Sequence, residues 1–225
     1  MSSPLKAGAV IAAAGMGNRF GEKKQFKLLG RRPLLFHTLT PFLECDDISE
    51  IVVVVPEEDL DNTSRELASF SSAKPVKTVT GGARRQDSVL NGCEALSKDV
   101  IIVAVHDAAR PFVTTELISA TIKGCSEASG CIAAMPSQDT VKQVSDDHIQ
   151  KTLDRNSIWL AQTPQSFHRD ILIEALQEEM KATDEASMVE AVGGTVAVTE
   201  GFAGNFKITT NEDWQLAKKL VFNHG

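Results

Sequence analysis

Six cations fall within the fourteen residues from Arg19 to Arg32: Arg19, Lys23, Lys24, Lys27, Arg31 and Arg32. One acid, Glu22, stands among them, on a chain whose formal charge is −7. They follow a glycine turn, Gly15-Met16-Gly17, that ends the apolar run Ala9–Ala14. Glycines let backbone N–H groups close on phosphate oxygens. Arg19 adds a planar fork of donors and Lys24 a point charge. The chemistry that suits this set is the grip of a polyphosphate. It is not a dinucleotide fingerprint, because Phe20 stands where the third glycine belongs, and no Gly-Lys-Ser/Thr makes it a P-loop. The bland alternative is a turn with a solvated basic surface.

Two further motifs follow apolar runs. In His106-Asp107-Ala108-Ala109-Arg110-Pro111-Phe112, a carboxylate just past a strand can hold a divalent cation through oxygen. Arg110 can neutralise a phosphate or orient Asp107, and His106 reads as a packing residue. The plain alternative is a capping Asp with a structural ion pair. In Gly81-Gly82-Ala83-Arg84-Arg85-Gln86-Asp87-Ser88, the glycines permit close backbone approach and Ser88 can donate to a ligand oxygen. Lys207 is a lone cation in Asn205-Phe206-Lys207-Ile208-Thr209, significant only if it converges with the other motifs.

The elements that must position these residues alternate between strand and helix. Strands are predicted over 7–14, 48–56, 76–80, 100–105, 131–135, 195–198 and 206–209. Helices are predicted over 34–43, 57–70, 84–96, 114–128, 169–180, 184–192 and 211–221, capped by Thr114 or Thr115, Asp184 and Asn211 at three of their starts. Ile51–Val55 is β-branched and apolar on both faces, as a central parallel strand requires. The order predicts an α/β fold: a mostly parallel twisted sheet flanked by helices, in a Rossmann-like arrangement. Such sheets bind ligands beyond the carboxyl ends of their strands. Residues 136–163 break the pattern and read as a hairpin excursion. One domain over residues 1–225 is expected, with an inserted arm at about 138–162.

Composition narrows the function classes. The net negative charge argues against broad nucleic-acid or membrane-surface binding. Tyr is absent and aromatics make up 5%, which disfavours base-stacking platforms. Cys45, Cys93, Cys125 and Cys131 form no Cys-x-x-Cys pair and read as buried free thiols of a reducing, cytoplasmic compartment. No targeting segment or membrane span is expected.

Nine motifs run in order through the chain: Ala13-Ala14-Gly15-x-Gly17-x-Arg19, Lys24-Gln25-Phe26, Gly81-Gly82-x-x-Arg85-x-Asp87-Ser88-Val89, His106–Pro111, Asp139-Thr140-Val141-Lys142, Asp154-Arg155-Asn156, Thr163-Pro164-Gln165, Thr183–Ser187 and Asn205–Thr209. This set resembles the 2-C-methyl-D-erythritol 4-phosphate cytidylyltransferases, nucleotidyltransferases of a glycosyltransferase-A-like fold. The resemblance implies transfer of a cytidylyl group from CTP to that polyol phosphate, with loss of pyrophosphate, in non-mevalonate isoprenoid precursor biosynthesis. It implies that Ala13, Ala14, Gly15, Gly17, Gly82 and Ser88 contact CTP. Arg19, Lys24, Arg155 and Lys207 take catalytic roles in that comparison. Asp107, Arg110, Thr140, Arg155, Thr163, Thr183 and Lys207 take substrate-binding ones, and Asp107 ligates Mg²⁺. The arm is implied to interlock two subunits of a homodimer, so that Arg155 serves the other protomer. The sequence departs from some relatives at Ala83 and Gly204, where they carry acids, which leaves Asp107 as the single protein ligand expected for the metal. A ribitol 5-phosphate cytidylyltransferase is the nearest alternative, and a non-catalytic nucleotide sensor is the alternative from another class.

Overall fold

The structure is a computed structural model that describes residues 6–15, 20–69, 74–180 and 182–222. Its strands are β1 (Ala7–Ala12), β2 (Leu28–Leu29), β3 (Arg32–Pro33), β4 (Ile48–Val55), β5 (Val76–Thr80), β6 (Ile102–Asp107), β7 (Gly130–Pro136), β8 (Lys142–Ser145), β9 (His148–Thr152), β10 (Trp159–His168) and β11 (Val196–Glu200). Its helices are α1 (Leu34–Glu44), α2 (Leu60–Ser69), α3 (Arg85–Ala95), α4 (Thr115–Gly124), α5 (Arg169–Gln177), α6 (Glu185–Ala191) and α7 (Asn211–Phe222).

Seven strands form one sheet in the order β11-β7-β10-β6-β1-β4-β5. Only β10 runs antiparallel to its neighbours in it. Alternate residues of the central strands bury on opposite faces. Ile51, Val53 and Val55 pack with α1, α2 and α4, whereas Val52 and Val54 pack with α3, α5 and α6. Cover on both sides is the reason these strands read as unbroken apolar runs. After β1 the chain moves to β4 and β5 on one side; it then returns to place β6 on the other. The order of strands therefore reverses at β1 and β6, where Ala12 is the register partner of Asp107. A crevice opens at such a reversal, beyond the strand ends, and ligands bind there.

The mostly parallel sheet and the hairpin excursion agree with expectation; several boundaries do not. The strand expected over 7–14 ends at Ala12; the Ala13 N–H makes the last bond of the ladder with β4, to the Val54 carbonyl at 2.8 Å, and Ala14 and Gly15 lie beyond it. The helix predicted from Glu57 starts as a short 3-10 turn, Glu57–Asp59, before α2, and Phe70 lies outside the described residues. The helix predicted to Ala128 stops at Gly124, where the Cys125 N–H closes back on the last turn.

Residues 206–209 are not a strand. They pair with no ladder, and the Ile208 N–H instead reaches the Ala109 carbonyl at 2.8 Å. Thr210, rather than Asn211, caps α7. Its hydroxyl accepts the Asp213 N–H at 3.2 Å, and the Asp213 carboxylate accepts the Thr209 and Thr210 N–H groups at 2.8 Å. That reciprocal pair is a capping box built on Asp.

The hairpin β8–β9 turns through Asp146 and Asp147, both at positive φ, as a two-residue hairpin loop requires. All nine of its strand residues are exposed, and it pairs only with itself. The excursion ends before Trp159, which pairs with Pro136 and starts β10 within the main sheet. All four cysteines are buried and free. No helix among the described residues is long and apolar enough to cross a membrane.

Candidate active site

A cleft of about 400 Å³ opens at the β1–β6 reversal. One wall is the loop after β1 (Ala13, Ala14, Gly15) with Lys24 and Gln25; the other comprises Gly82, Arg85, Ser88, Asp107 and Lys207. Three separately predicted strand-end motifs and the lone Lys207 thus meet in one cavity. Gly17 and Arg19 lie outside the described residues.

Buried Gln25 shapes the first wall. Its amide donates to the Ala13 carbonyl at 2.8 Å and to the Gly15 carbonyl at 3.0 Å. This ties the 3-10 turn Lys24–Phe26 to the glycine loop and sets Lys24 at the cleft, its ammonium 5.8 Å from the centre of the Phe20 ring. The basic run is less of a unit than its spacing suggested. Lys23 pairs at 2.6 Å with both Glu58 and Asp59, and Lys27 pairs with Glu22. Arg31 and Arg32 are exposed around the β2–β3 turn and do not line the cleft.

Opposite this wall, Gly81 is required by close approach. A Cβ there would stand 2.5 Å from that of Ala14, so the two loops touch. The Ser88 hydroxyl accepts the Gly82 N–H at 3.0 Å and donates to the Arg84 carbonyl at 3.0 Å. Ser88 therefore fixes the shape of the loop that begins α3.

The floor is a chain of alternating charge. Lys207 Nζ lies 2.6 Å from Asp107 Oδ2, and Arg85 Nη2 lies 3.0 Å from Asp107 Oδ1. The other arm of the Arg85 guanidinium pairs with Glu185, which is fully buried. Burial alone would raise the Asp107 carboxyl, but Arg85 and Lys207 outweigh it and hold the group well below the usual carboxylate range. Burial pushes the Glu185 carboxyl up, against the pull of Arg85. His106 is buried and neutral; desolvation takes its pKa down to about 4. The Arg110 carbonyl accepts only, so the ring proton sits on Nε2, 3.1 Å away. Nδ1 then accepts from Thr163, whose oxygen also receives the Asp107 N–H at 3.2 Å.

Asp107 fits a magnesium ion of the kind that keeps waters and draws its other ligands from phosphates, since such sites need only one or two carboxylates. Each of its oxygens has a second lone pair beyond the ion pairs described. No cluster of three or more His, Cys, Asp or Glu side chains suited to a metal occurs among the described residues.

The remaining predicted residues lie away from the cleft lining. Arg110 donates to the Asn205 carbonyl at 2.7 Å, and so holds the segment that carries Lys207. Thr163 is buried behind Asp107, and Thr183 is exposed just before α6. Thr140 and Arg155 are exposed on the excursion, where Arg155 donates to the Gln138 carbonyl at 2.8 Å. Sequence reasoning did not single out Arg85, Glu185 or Gln25. Arg85 and Glu185 stand 100 residues apart, and the available signal was only that each falls inside an ordered motif.

A model of the IspD family, 2-C-methyl-D-erythritol 4-phosphate cytidylyltransferase, matches residues 7–223. The protein of that name from Syntrophus aciditrophicus (strain SB) is 42% identical over 224 residues, which covers 95% of this chain and 94% of the relative. The one from Syntrophotalea carbinolica is 41% identical, with 96% of each chain covered. The crystal structure of 4-diphosphocytidyl-2C-methyl-D-erythritol synthase from Anaerococcus prevotii superposes with a TM-score of 0.86 at 30% identity, covering 98% of this chain and all (100%) of that one. The Thermus thermophilus cytidylyltransferase gives 0.77 at 32% identity, covering 96% and 99%.

Proposed function

This chain belongs to the 2-C-methyl-D-erythritol 4-phosphate cytidylyltransferase family, and we propose that it joins CTP to that polyol phosphate, forming 4-diphosphocytidyl-2-C-methyl-D-erythritol and pyrophosphate. The observation that carries the reading is the meeting of the glycine loop, Lys24, Asp107 and Lys207 in one cleft at the strand reversal. The cleft lies within the roughly 300–1,000 Å³ range of small-ligand sites.

In this reaction an oxygen of the substrate's phosphate monoester bonds to the α-phosphorus of CTP. The bond from that phosphorus to the β-bridging oxygen breaks, and pyrophosphate leaves with the electron pair. A phosphate monoester is already ionised near neutral pH, with a second pKa of about 6. No Ser, Cys or His base is needed, which agrees with a His106 that is buried and committed to structural hydrogen bonds. What remains is alignment and neutralisation of charge. Backbone groups of Ala13, Ala14, Gly15 and Gly82 border the nucleotide; Gln25 holds the first loop in shape and Ser88 the second. Lys24 faces the triphosphate from one wall, with Arg19 assigned beside it on sequence grounds. Lys207 faces the attacking phosphate from the other. Mg²⁺ held by Asp107 would neutralise the triphosphate and orient the leaving group.

The excursion is assigned to a homodimer. Val144 and Ile149 are 56% and 64% exposed on a hairpin with no other strand beside it. An isolated two-stranded hairpin is marginal in water. Cover by a second copy would stabilise it and would bring Thr140 and Arg155 to the partner's cleft, while Arg110, Thr163 and Thr183 stay assigned to the substrate pocket of their own protomer. Sedimentation of the wild type and of Val144→Asp/Ile149→Asp tests this, with a dimer and a monomer expected; an unchanged mass for the variant would remove the arm from the interface. A cytoplasmic location completes the reading, supported by four buried free thiols.

The deciding assay is pyrophosphate release from CTP and Mg²⁺ with 2-C-methyl-D-erythritol 4-phosphate, run beside ribitol 5-phosphate. Turnover with the first is expected to exceed that with the second by orders of magnitude. Preference for ribitol 5-phosphate would replace the substrate. CTP binding without Mg²⁺-dependent turnover would make the chain a sensor.

A further inference from the structure

We infer that Arg85 and Glu185 are positioning residues for this transfer: Glu185 orients the Arg85 guanidinium, and Arg85 orients the Asp107 carboxylate on the cleft floor. The inference rests on the proposed reaction and adds to it two side chains that stand behind the residues facing the ligands.

Geometry is the first support. Arg85 opens α3 and Glu185 opens α6. One guanidinium nitrogen reaches Asp107 at 3.0 Å, and the other takes Glu185. A planar fork spanning two acids fixes the direction of both; an ammonium, with its rotating donors, does not. Lys207 also pairs with Asp107, yet as a point charge it leaves the carboxylate free to swing. Arg85 supplies the orientation that Lys207 lacks.

The anchoring of both ends is the second support. Gln86, the next residue, donates to the carbonyls of Leu176 and Glu178 at 2.7 Å each, which pins the start of α3 to the end of α5. Gln165 of β10 donates to Asp184 at 3.0 Å and accepts the Ala186 N–H at 3.1 Å, gripping the residues on either side of Glu185. The relay thus runs between two braced backbones and ends on Asp107.

The third support is cost. Glu185 is cut off from water, at 0% exposure, and its Oε2 has no hydrogen-bond partner. A buried ion pair with an unsatisfied oxygen is a poor device for stability, since a well-packed apolar pair generally does as well or better. Specific orientation of the next charge is a role that an apolar pair cannot fill.

Three variants test the relay. Glu185→Gln keeps the shape and removes the charge. Its kcat is expected to fall by about 10- to 100-fold, the range seen when outer-shell partners of a site are removed. Its KM for CTP should stay within about threefold of wild type, because the nucleotide's own contacts are intact. Arg85→Lys keeps a cation near both acids and should lose kcat similarly. The double variant Arg85→Met/Glu185→Leu removes both charges. It should melt at or above the temperature of Glu185→Gln, since no lone charge stays buried, while kcat remains low. That separation of melting temperature from kcat distinguishes positioning from simple stabilisation, and it decides the matter should Glu185→Gln fail to fold. Wild-type kcat in the double variant would overturn the relay, as would wild-type kcat in both single variants. Inactivity of the wild type itself would instead remove the proposed reaction, and the relay with it.

Discussion

The two walls of the cleft use the same residue types under different physical conditions. On the β6 side, Glu185, Arg85, Asp107 and Lys207 alternate in sign, and the two acids are shielded from water. On the glycine-loop side, the lysines sit on a surface turn, where Lys23 and Lys27 are taken up by Glu58, Asp59 and Glu22. Coulomb interactions are several-fold stronger in the first setting than in the second. Charge counted along a chain is therefore not charge offered to a ligand: of the described cations in the basic run, Lys24 is the one that lines the cleft.

Lys207→Ala should produce the largest effect. Loss of a charge-stabilising donor from a preorganised site costs on the order of 10²–10³ in kcat. Thermal stability should change little, because Arg85 still pairs with Asp107. Steady-state kinetics beside a melting curve checks both parts. A variant that melts early but turns over normally would make the buried wall structural and erase the contrast between the walls.

Lys24→Ala probes the other wall, and a loss of about 10²-fold in turnover is expected by the same reasoning. Its stability should stay near wild type, since the buried Gln25 ties the turn to the glycine loop through the Ala13 and Gly15 carbonyls. Equal kcat losses at Lys24 and Lys207 with different salt dependence would sharpen the comparison. Both lysines are half-buried, but Lys207 pairs with a buried carboxylate, and such a pair is screened less by salt, so the Lys24 contribution should shrink first as ionic strength rises.

The buried wall also makes a prediction about pH. An unfolded imidazole protonates near 6.5, and the folded His106 does so at about 4. As pH falls, the unfolded state takes the proton first. Stability from the neutral ring is complete above about pH 6.5 and is lost progressively down to about 4, for a total of about 3 kcal/mol. Glu185, whose carboxyl is raised, works in the opposite direction. The His106 contribution is thus read as the difference between wild type and His106→Gln, by denaturant unfolding at pH 7 and at pH 4.5. The variant should be less stable at neutral pH and show the shallower decline. Parallel declines would mean that the ring is charged in the fold.

These contrasts also separate what was legible in the sequence from what was not. Strands β4 and β6 announced themselves because helices cover both faces of the sheet, which demands apolar runs. The glycine loop, Gly82, Asp107 and Lys207 were legible because strand-end glycines and isolated charges in short motifs leave local patterns. β10 was hidden because its buried centre is Gln162, Thr163, Pro164, Gln165 and Ser166, whose polarity reads as surface. Those side chains are satisfied by partners distant in sequence: Gln162 by Asn205 and Phe202, Gln165 by Asp184 and Ala186, Ser166 by Thr121. The segment 206–209 failed in the reverse direction. Its apolar Phe206 and Ile208 pack against Phe112 and Trp214 in a small cluster of their own, which mimics a strand without a ladder. Arg85 and Glu185 went unnoticed because a charge at the start of a helix is ordinarily solvated, and nothing local says that two such starts face each other.

The smallest effect is expected at Lys23, and it tests the contrast from the side of silence. Lys23 and Lys24 are adjacent and identical in type, and by spacing alone either would serve a phosphate. The structure separates them: Lys23 reaches back to Glu58 and Asp59 at 2.6 Å, on the turn before α2, while Lys24 borders the cleft. Surface pairs of this kind contribute little, so Lys23→Ala should leave kcat within about twofold of wild type and the melting temperature nearly unchanged. Glu58→Gln/Asp59→Asn asks the converse, whether removing the partners releases Lys23 to the nucleotide. A lower KM for CTP in that variant, abolished when Lys23→Ala is added, would show that the two acids restrain the basic wall. An unchanged KM in both would leave Lys24 alone in its role, and a large kcat loss at Lys23 would mean that the surface acids give the lysine up once CTP arrives.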